Sequence, residues 1–396
     1  MKLSFSPEVE AFRAEFLTWL ADNRPSPEEM EADPALSSAH APEWARTWTR
    51  RMFDAGWLVP GWPPERGGRN AGPVETLVYM EELTHNDVPR TTNPQGLGII
   101  APSILDYGTP EQIERYAMPV LRGERTACLG MSEPGAGSDL ASLSTRAVLD
   151  GDHFVVNGQK VWTSGANYAE FCFLFCRTDP DAPKHKGISI LLVDMDTPGI
   201  TVRPLPEIVD PEHPDLNEVF FDDVLVPAAN LVGELNNGWR MANGSLAHER
   251  SMVWLHSVMQ LESQLERLLE DVPALIGDLP PMEQGVALDQ VMRVYTDVVA
   301  ARCLGYRGFA KYVKGGDAPE QALMKAFASE TQQRMGLYAS EIQGGRGIDM
   351  LGGIGIESDT SWLEVYFHSF ASTISAGSSE IQRNIISEKV LGLPRS

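Results

Sequence analysis

The spacing of apolar residues changes twice along this 396-residue chain, and that double change admits few folds. From Pro7 to about Gly123 apolar residues recur every three or four positions, as in helices that bury one face. Val9, Phe12, Phe16, Trp19 and Leu20 form one such stripe, and a second helix is expected over residues 74–83. A third follows Thr109-Pro110-Glu111, with Pro just inside the start and Glu in the first turn. Residues 60–72 between them are a Pro/Gly-rich loop.

From about Thr126 to Leu235 the interval becomes two, the period of half-buried strands. Asp150-Gly151 and Asn157-Gly158 lie between β-rich runs and predict consecutive hairpin turns. Further strands are expected at 171–177, 188–194, 200–205 and 218–226, which makes this third a small antiparallel barrel or sandwich. Helical spacing returns at Trp239 and runs nearly to the end, broken near Leu279-Pro280-Pro281 and by the glycine-rich stretch 344–355. The fold class is therefore α+β in three parts. An N-terminal helical domain spans 1–124, a middle β-barrel or sandwich domain 125–236, and a C-terminal helical bundle 237–396.

Charge and cysteine content narrow the function. Against 55 Asp and Glu stand 32 Lys and Arg, a net charge of −23, which argues against nucleic acid and against docking on anionic lipid. Cys128, Cys172, Cys176 and Cys303 have no metal-ligand spacing, so no metal is expected and the thiols should be free in a reducing compartment. No run of about 18 apolar residues occurs and the N-terminus shows no uninterrupted apolar leader, so a cytoplasmic protein is expected.

Two segments carry the chemistry. Ser132-Glu133-Pro134-Gly135-Ala136-Gly137-Ser138-Asp139 is a loop whose glycines permit close backbone approach to a ligand and whose successive N–H groups can form an anion nest. Lys160-Val161-Trp162-Thr163-Ser164-Gly165 places a Trp and two hydroxyls at a strand end, one group to stack on a planar heterocycle and another to hydrogen-bond it. Taken singly, such a loop is more often a plain turn, and such a Trp is more often core.

Together, some two dozen residues apart, the segments resemble the flavin-binding signatures of the acyl-CoA dehydrogenase family. The resemblance covers nearly the whole chain. It includes Asn217-Glu218-Val219-Phe220-Phe221-Asp222-Asp223-Val224 with Val226-Pro227, the 344–355 stretch, and Gly377-Ser378-Ser379-Glu380-Ile381-Gln382-Arg383. It implies an FAD enzyme that dehydrogenates an acyl-CoA thioester to the trans-2-enoyl-CoA and passes its electrons to an electron-transfer flavoprotein. At matching positions, Met131 and Ser132 would meet the pyrimidine side of the flavin, Trp162 its ring and Ser164 its N5. Ser138 would bind the FAD pyrophosphate or the CoA, and Ser378 and Glu380 would touch the cofactor. Ser379-x-x-Gln382 reads as a capping box for the helix that follows.

Many family members carry a catalytic Glu just before the Gly of the terminal motif, where this chain has Ala376. Others carry it on the first long helix of the C-terminal domain, before an Arg, and here stands His248-Glu249-Arg250. Periodicity supports Glu249 independently. Ala242 and Leu246 lie seven and three residues before it and Val253 four after, so it projects from an apolar stripe where a carboxylate's pKa is raised. The plainer alternative is a surface Glu paired with a neighbouring Arg. His248 points roughly 100° away and reads as a packing residue. The resemblance implies that Glu249 takes the α-proton while flavin N5 takes the β-hydride. The Ala376 N–H would polarise the thioester carbonyl, and Arg250 would lie beside the substrate.

The chain departs from the family in lacking an Arg-x-x-Phe-Gly segment between Leu269 and Gln290, which members use to hold the adenine half of FAD across a subunit interface. Gln343 is expected to serve a neighbouring subunit's FAD. Either other residues, Arg293 among them, hold FAD in a homodimer or homotetramer, or a related chain completes a heterotetramer in which this one is a non-catalytic, FAD-poor subunit. A DNA-associated relative on the same fold is disfavoured by the net charge.

Overall fold

A computed structural model describes the backbone of residues 5–316, 320–347 and 362–394, and their side chains except at 242–256, 320–322, 346 and 347. The chain forms two compact units that divide between Glu249 and Arg250.

The first unit opens with helix Pro7–Asn23, started by Pro at its first turn. Its buried Phe16 sets its ring 4.8 Å from both Trp57 and Tyr79, so an aromatic cluster ties this helix to Pro73–His85. The loop 60–72 holds a single 3₁₀ turn, Pro64–Arg66. At Thr109 the expected start is a full capping box with Gln112. The Gln112 side chain then donates to the carbonyls of Ala229 and Leu231 at 2.7 and 2.9 Å, tying this helix to the far end of the β-region.

The middle region is one curled seven-stranded sheet. Its strands are β1 (Ala127–Gly130), β2 (Arg146–Asp150), β3 (His153–Lys160), β4 (Phe171–Arg177), β5 (Ile188–Asp194), β6 (Ile200–Pro204) and β7 (Asn217–Pro227). The order is β1-β4-β2-β3-β7-β6, with β5 also on β4. Most pairings are antiparallel, while β4 runs parallel to β1 and to β2. β4 is buried along its whole length, as a strand covered on both faces must be.

Asp150-Gly151 forms the expected hairpin between β2 and β3. Asn157-Gly158 does not: both residues lie within β3, where the pairing with β7 slips. The step from Val156 to Gly158 is matched by the longer step from Val224 to Phe221, so the extra residue is a β-bulge on β7. Asn157 and Asp223 fasten it with two 2.9 Å hydrogen bonds, and Asp223 takes a φ of 47°. Gly158 is required there because an added Cβ would lie 2.6 Å from Thr145 Cα. An Asn-Gly pair thus serves a bulge as readily as a turn, since both need backbone that other residues resist.

Helix Gly238–Ile276 leaves the sheet almost at once and is followed in the second unit by Pro281–Val313, Glu320–Gln343, Trp362–Ile374 and Ser379–Ile385. A break at Lys314-Gly315-Gly316, with Gly315 at φ 72°, adds to the one expected at Pro280-Pro281. Helices Glu320–Gln343 and Trp362–Ile374 cross at Gly336, where a Cβ would come within 2.7 Å of Tyr366 Cα. Among the described residues no helix is long and apolar enough to cross a membrane.

Candidate active site

Beneath the loop after β1 lies a buried ion pair. Lys160, fully buried at the end of β3, donates to Glu133 Oε1 at 2.8 Å and to the Met131 carbonyl at 3.0 Å. The Glu133 carboxylate also accepts from Ser144 N and Oγ and from Thr145 N at 2.6–2.8 Å. Burial alone would raise the Glu133 carboxyl, but the Lys160 charge and these donors pull it down to about 2. Burial pushes the Lys160 ammonium down, opposed by the Glu133 charge. Above the pair, Glu133 and Ala136 exchange backbone hydrogen bonds at 2.9 and 3.0 Å, and Ser132 O accepts from Val161 N at 2.9 Å. Met131–Ser132 and the segment around Trp162 are thereby held side by side.

The chain turns sharply after β3. Trp162 stands at φ 60° with 61% of its surface exposed, although large aromatics usually bury theirs. Thr163 N donates to Asn217 O at 3.0 Å, and Asn217 Nδ2 returns a bond to Thr163 O at 3.1 Å. Gly165, at φ 68°, donates to Asp215 O at 2.8 Å and packs so closely that a Cβ would meet Ala39 Cβ at 2.4 Å. Ser164 is half-buried on this turn.

Three features suit a flat ligand such as flavin. A strained turn holds out an indole that keeps most of its surface exposed. The Thr163 hydroxyl is buried with no partner among the described residues. Gly135 and Gly137 face space in which a Cβ would meet no atom within 4 Å, so packing does not require them to be glycine. Ser138 is exposed on the same loop.

The helix that carries Glu249 starts from β5. Asn237 bridges Ile188, Asn236 N donates to Ser189 Oγ at 2.8 Å, and the Trp239 ring lies 4.8 Å from that of His185. Glu249 is eleven residues beyond Gly238, roughly 16 Å along the axis at 1.5 Å per residue. The side chains of Glu249 and Arg250 lie outside the described residues.

In the second unit Ala376, Ser378 and Glu380 share one turn. Ala376 is exposed at φ 52°, and its carbonyl accepts from Gln382 Nε2 at 3.0 Å. The Gly377 carbonyl accepts from the buried Lys325 at 2.8 Å. The helix cap differs from expectation by one residue: Ser378 accepts from Ile381 N, while Gln382 reaches Ala376 rather than Ser379. Gly377, at φ 92°, turns the chain so that Ser378 comes first within reach of the open N–H groups. Exposed Glu380 has its carboxyl held low by its own N–H and the Ser378 hydroxyl. Gln343 is buried and accepts from Trp362 N at 3.3 Å. Arg293 is exposed and paired with Asp289 at 2.8 Å.

Glu133, Lys160, Asn217 and Lys325 escaped the sequence reading of the site. One signal was available for Lys160, which falls on the parity of the buried Phe154 and Val156. A lysine at an inward position calls for a carboxylate, and the neighbouring motif offered two, Glu133 and Asp139. Nothing in the local pattern marks Lys325.

Helical regions before and after a curled sheet in the chain, with an exposed Trp on a strained turn at one strand end, are the plan of the acyl-CoA dehydrogenase class of flavoprotein. The chain matches the N-terminal, middle and C-terminal domains of acyl-CoA dehydrogenase over residues 6–124, 128–224 and 236–391. It belongs to the acyl-CoA dehydrogenase family, whose members depend on FAD. It is 37% identical to acyl-CoA dehydrogenase IpdE1 of Mycobacterium tuberculosis, over 98% of both chains. Among solved structures it is similar to the Tcur3481-Tcur3483 steroid acyl-CoA dehydrogenase (TM-score 0.81, 31% identity, all of both chains). It is also similar to the ChsE4-ChsE5 complex of Mycobacterium tuberculosis (TM-score 0.82, 30% identity, all of both chains).

Proposed function

We propose that this enzyme removes two hydrogens across Cα–Cβ of a steroid-derived acyl-CoA, with Glu249 as the base. The observation that carries the reading is the exposed, strained Trp162 beside the Met131–Ser132 ledge. The substrate class rests on the steroid acyl-CoA dehydrogenase to which the whole chain is similar.

Met131, Ser132, Trp162 and Ser164 hold the ring system, Ser138, Ser378 and Glu380 contact the remainder of FAD, and Gln343 serves a neighbouring subunit's FAD. Bound FAD supplies the hydride acceptor. Glu249 takes the α-proton as general base. The Ala376 N–H donates to the thioester carbonyl as charge develops there. A backbone donor does this without the carboxylate that many relatives keep at that position. Arg250 lines the substrate, and an electron-transfer flavoprotein accepts the electrons. Anaerobic mixing of the purified protein with steroid and straight-chain acyl-CoAs tests the reading. Rapid loss of flavin absorbance with the steroid thioesters is expected, and none with any thioester would sink it.

A second reading is that the chain works with a related chain. Two observations favour it: the missing Arg-x-x-Phe-Gly segment, and an Arg293 already paired with Asp289. Two of the similar structures are complexes of paired names. Purification alone and with a co-expressed relative separates the cases, since a chain colourless alone and yellow in the pair is heteromeric.

A further inference from the structure

The buried pair Lys160–Glu133 has no part in the mechanism above, yet it acts on the peptide that faces the proposed flavin. A trans peptide sends its C=O and N–H in opposite directions, and the described chain contains no cis bond. Lys160 draws the Met131 carbonyl inward at 3.0 Å. The N–H of the same peptide, which belongs to Ser132, is therefore turned away from the core. The Ser132 carbonyl is in turn occupied by Val161 N at 2.9 Å, and among the described residues no backbone carbonyl takes the Ser132 N–H. A staple for the loop would need only Glu133 with Ser144 and Thr145. The second bond, from Lys160 to Met131, fixes a peptide plane.

We propose that Lys160, backed by Glu133, is a positioning residue that aims the Ser132 N–H at the pyrimidine edge of the flavin. The pair is neutral overall, but its positive end touches the Met131 peptide and favours negative charge on the ring beyond it. The inference rests on the flavin reading given above.

The test uses the full chain, stripped of flavin and titrated with FAD by fluorescence quenching, alongside its melting temperature and the midpoint potential of the reloaded protein. Lys160→Met strands the Glu133 carboxylate and should lower the melting temperature, so Lys160→Met/Glu133→Gln, which removes both charges, is the working variant. That double variant should fold and bind FAD at least about tenfold more weakly, with a more negative flavin potential, because a charge-assisted hydrogen bond no longer sets the donor. A folded double variant with wild-type affinity and potential overturns the inference and leaves the flavin reading standing. Should neither variant fold, hydrogen exchange at the Ser132 amide of the wild-type chain decides. Slowing on addition of FAD supports the inference, and unchanged exchange overturns it. A wild-type chain that takes up no FAD overturns the flavin reading itself, and this inference with it.

Discussion

Ser38 gives both its backbone N–H and its hydroxyl to one oxygen of the Asp215 carboxylate, at 2.7 and 2.8 Å. Ser37 adds its own hydroxyl at 2.7 Å, while the Asp215 carbonyl takes the N–H of Gly165. One residue thus fastens an N-terminal loop to the turn that presents Trp162. Asp215→Ala should lower stability by about 1–3 kcal/mol through the unpaired donors and loosen flavin retention with it. Melting curves of the holo and flavin-free variant check this, and a melting temperature equal to wild type in both would count against it.

Trp162→Ala should cost flavin rather than fold. The indole is 61% exposed, so its removal leaves no cavity and should move stability by no more than about 0.5–1 kcal/mol. Flavin released on dilution, measured by its regained fluorescence, should rise markedly. A variant that unfolds while keeping wild-type flavin affinity in its folded fraction would show that Trp162 acts as core.

Glu249→Gln should retain FAD and still bind acyl-CoA but lose substrate-driven bleaching of the flavin by at least about 10²–10⁴-fold, the usual range for a general base. Gln keeps the shape and removes the basicity, so the deficit belongs to the chemical step and is read in single-turnover mixing. Ala376→Glu placed in that background should recover part of the rate if both positions serve the same α-carbon. Near wild-type bleaching in Glu249→Gln would move the base elsewhere.

The Glu133 carboxyl sets an acid limit. Its pKa in the fold is about 2, below an ordinary value near 4.5. Its contribution to stability is therefore full above pH 4.5 or so and is lost as pH falls toward 2. Melting temperatures between pH 5 and 2.5 should fall less steeply for Lys160→Met/Glu133→Gln than for wild type. Parallel acid limbs would show that other carboxylates govern acid unfolding.

The order of helical, β and helical regions was legible because each period states which face is buried. Strands 171–177 and 188–194 were legible to the residue, since β-rich runs there end at turn residues. Local chemistry misled at Asn157-Gly158, where a turn and a bulge ask for the same backbone freedom and only the partner strand decides between them. The cap at Ser378 was missed by one position because the φ of Gly377, invisible in the sequence, sets where the helix begins. The motif around Trp162 was readable, but its support was not. Lys160–Glu133 joins residues 27 apart and Ser38–Asp215 joins residues 177 apart, contacts that no local pattern encodes.

The bulge on β7 also works as a phase shift. On its far side the buried positions are Val224 and Val226, and on its near side they are Phe221, Val219 and Asn217. With the register held at Val156–Val224 and every residue kept but paired one to one, that near half would present its odd-numbered side chains to the opposite face. Asn217 would then leave the position from which it holds the Thr163 and Asp215 carbonyls. The bulge around Asp223, well away along the strand, absorbs the surplus residue and so keeps an amide under the Trp162 turn. Deleting the surplus residue itself would pair the strands one to one with Phe221, Val219 and Asn217 still facing inward. That deletion should spare the site, whereas one between Asn217 and Phe221 should scramble it before it harms the sheet.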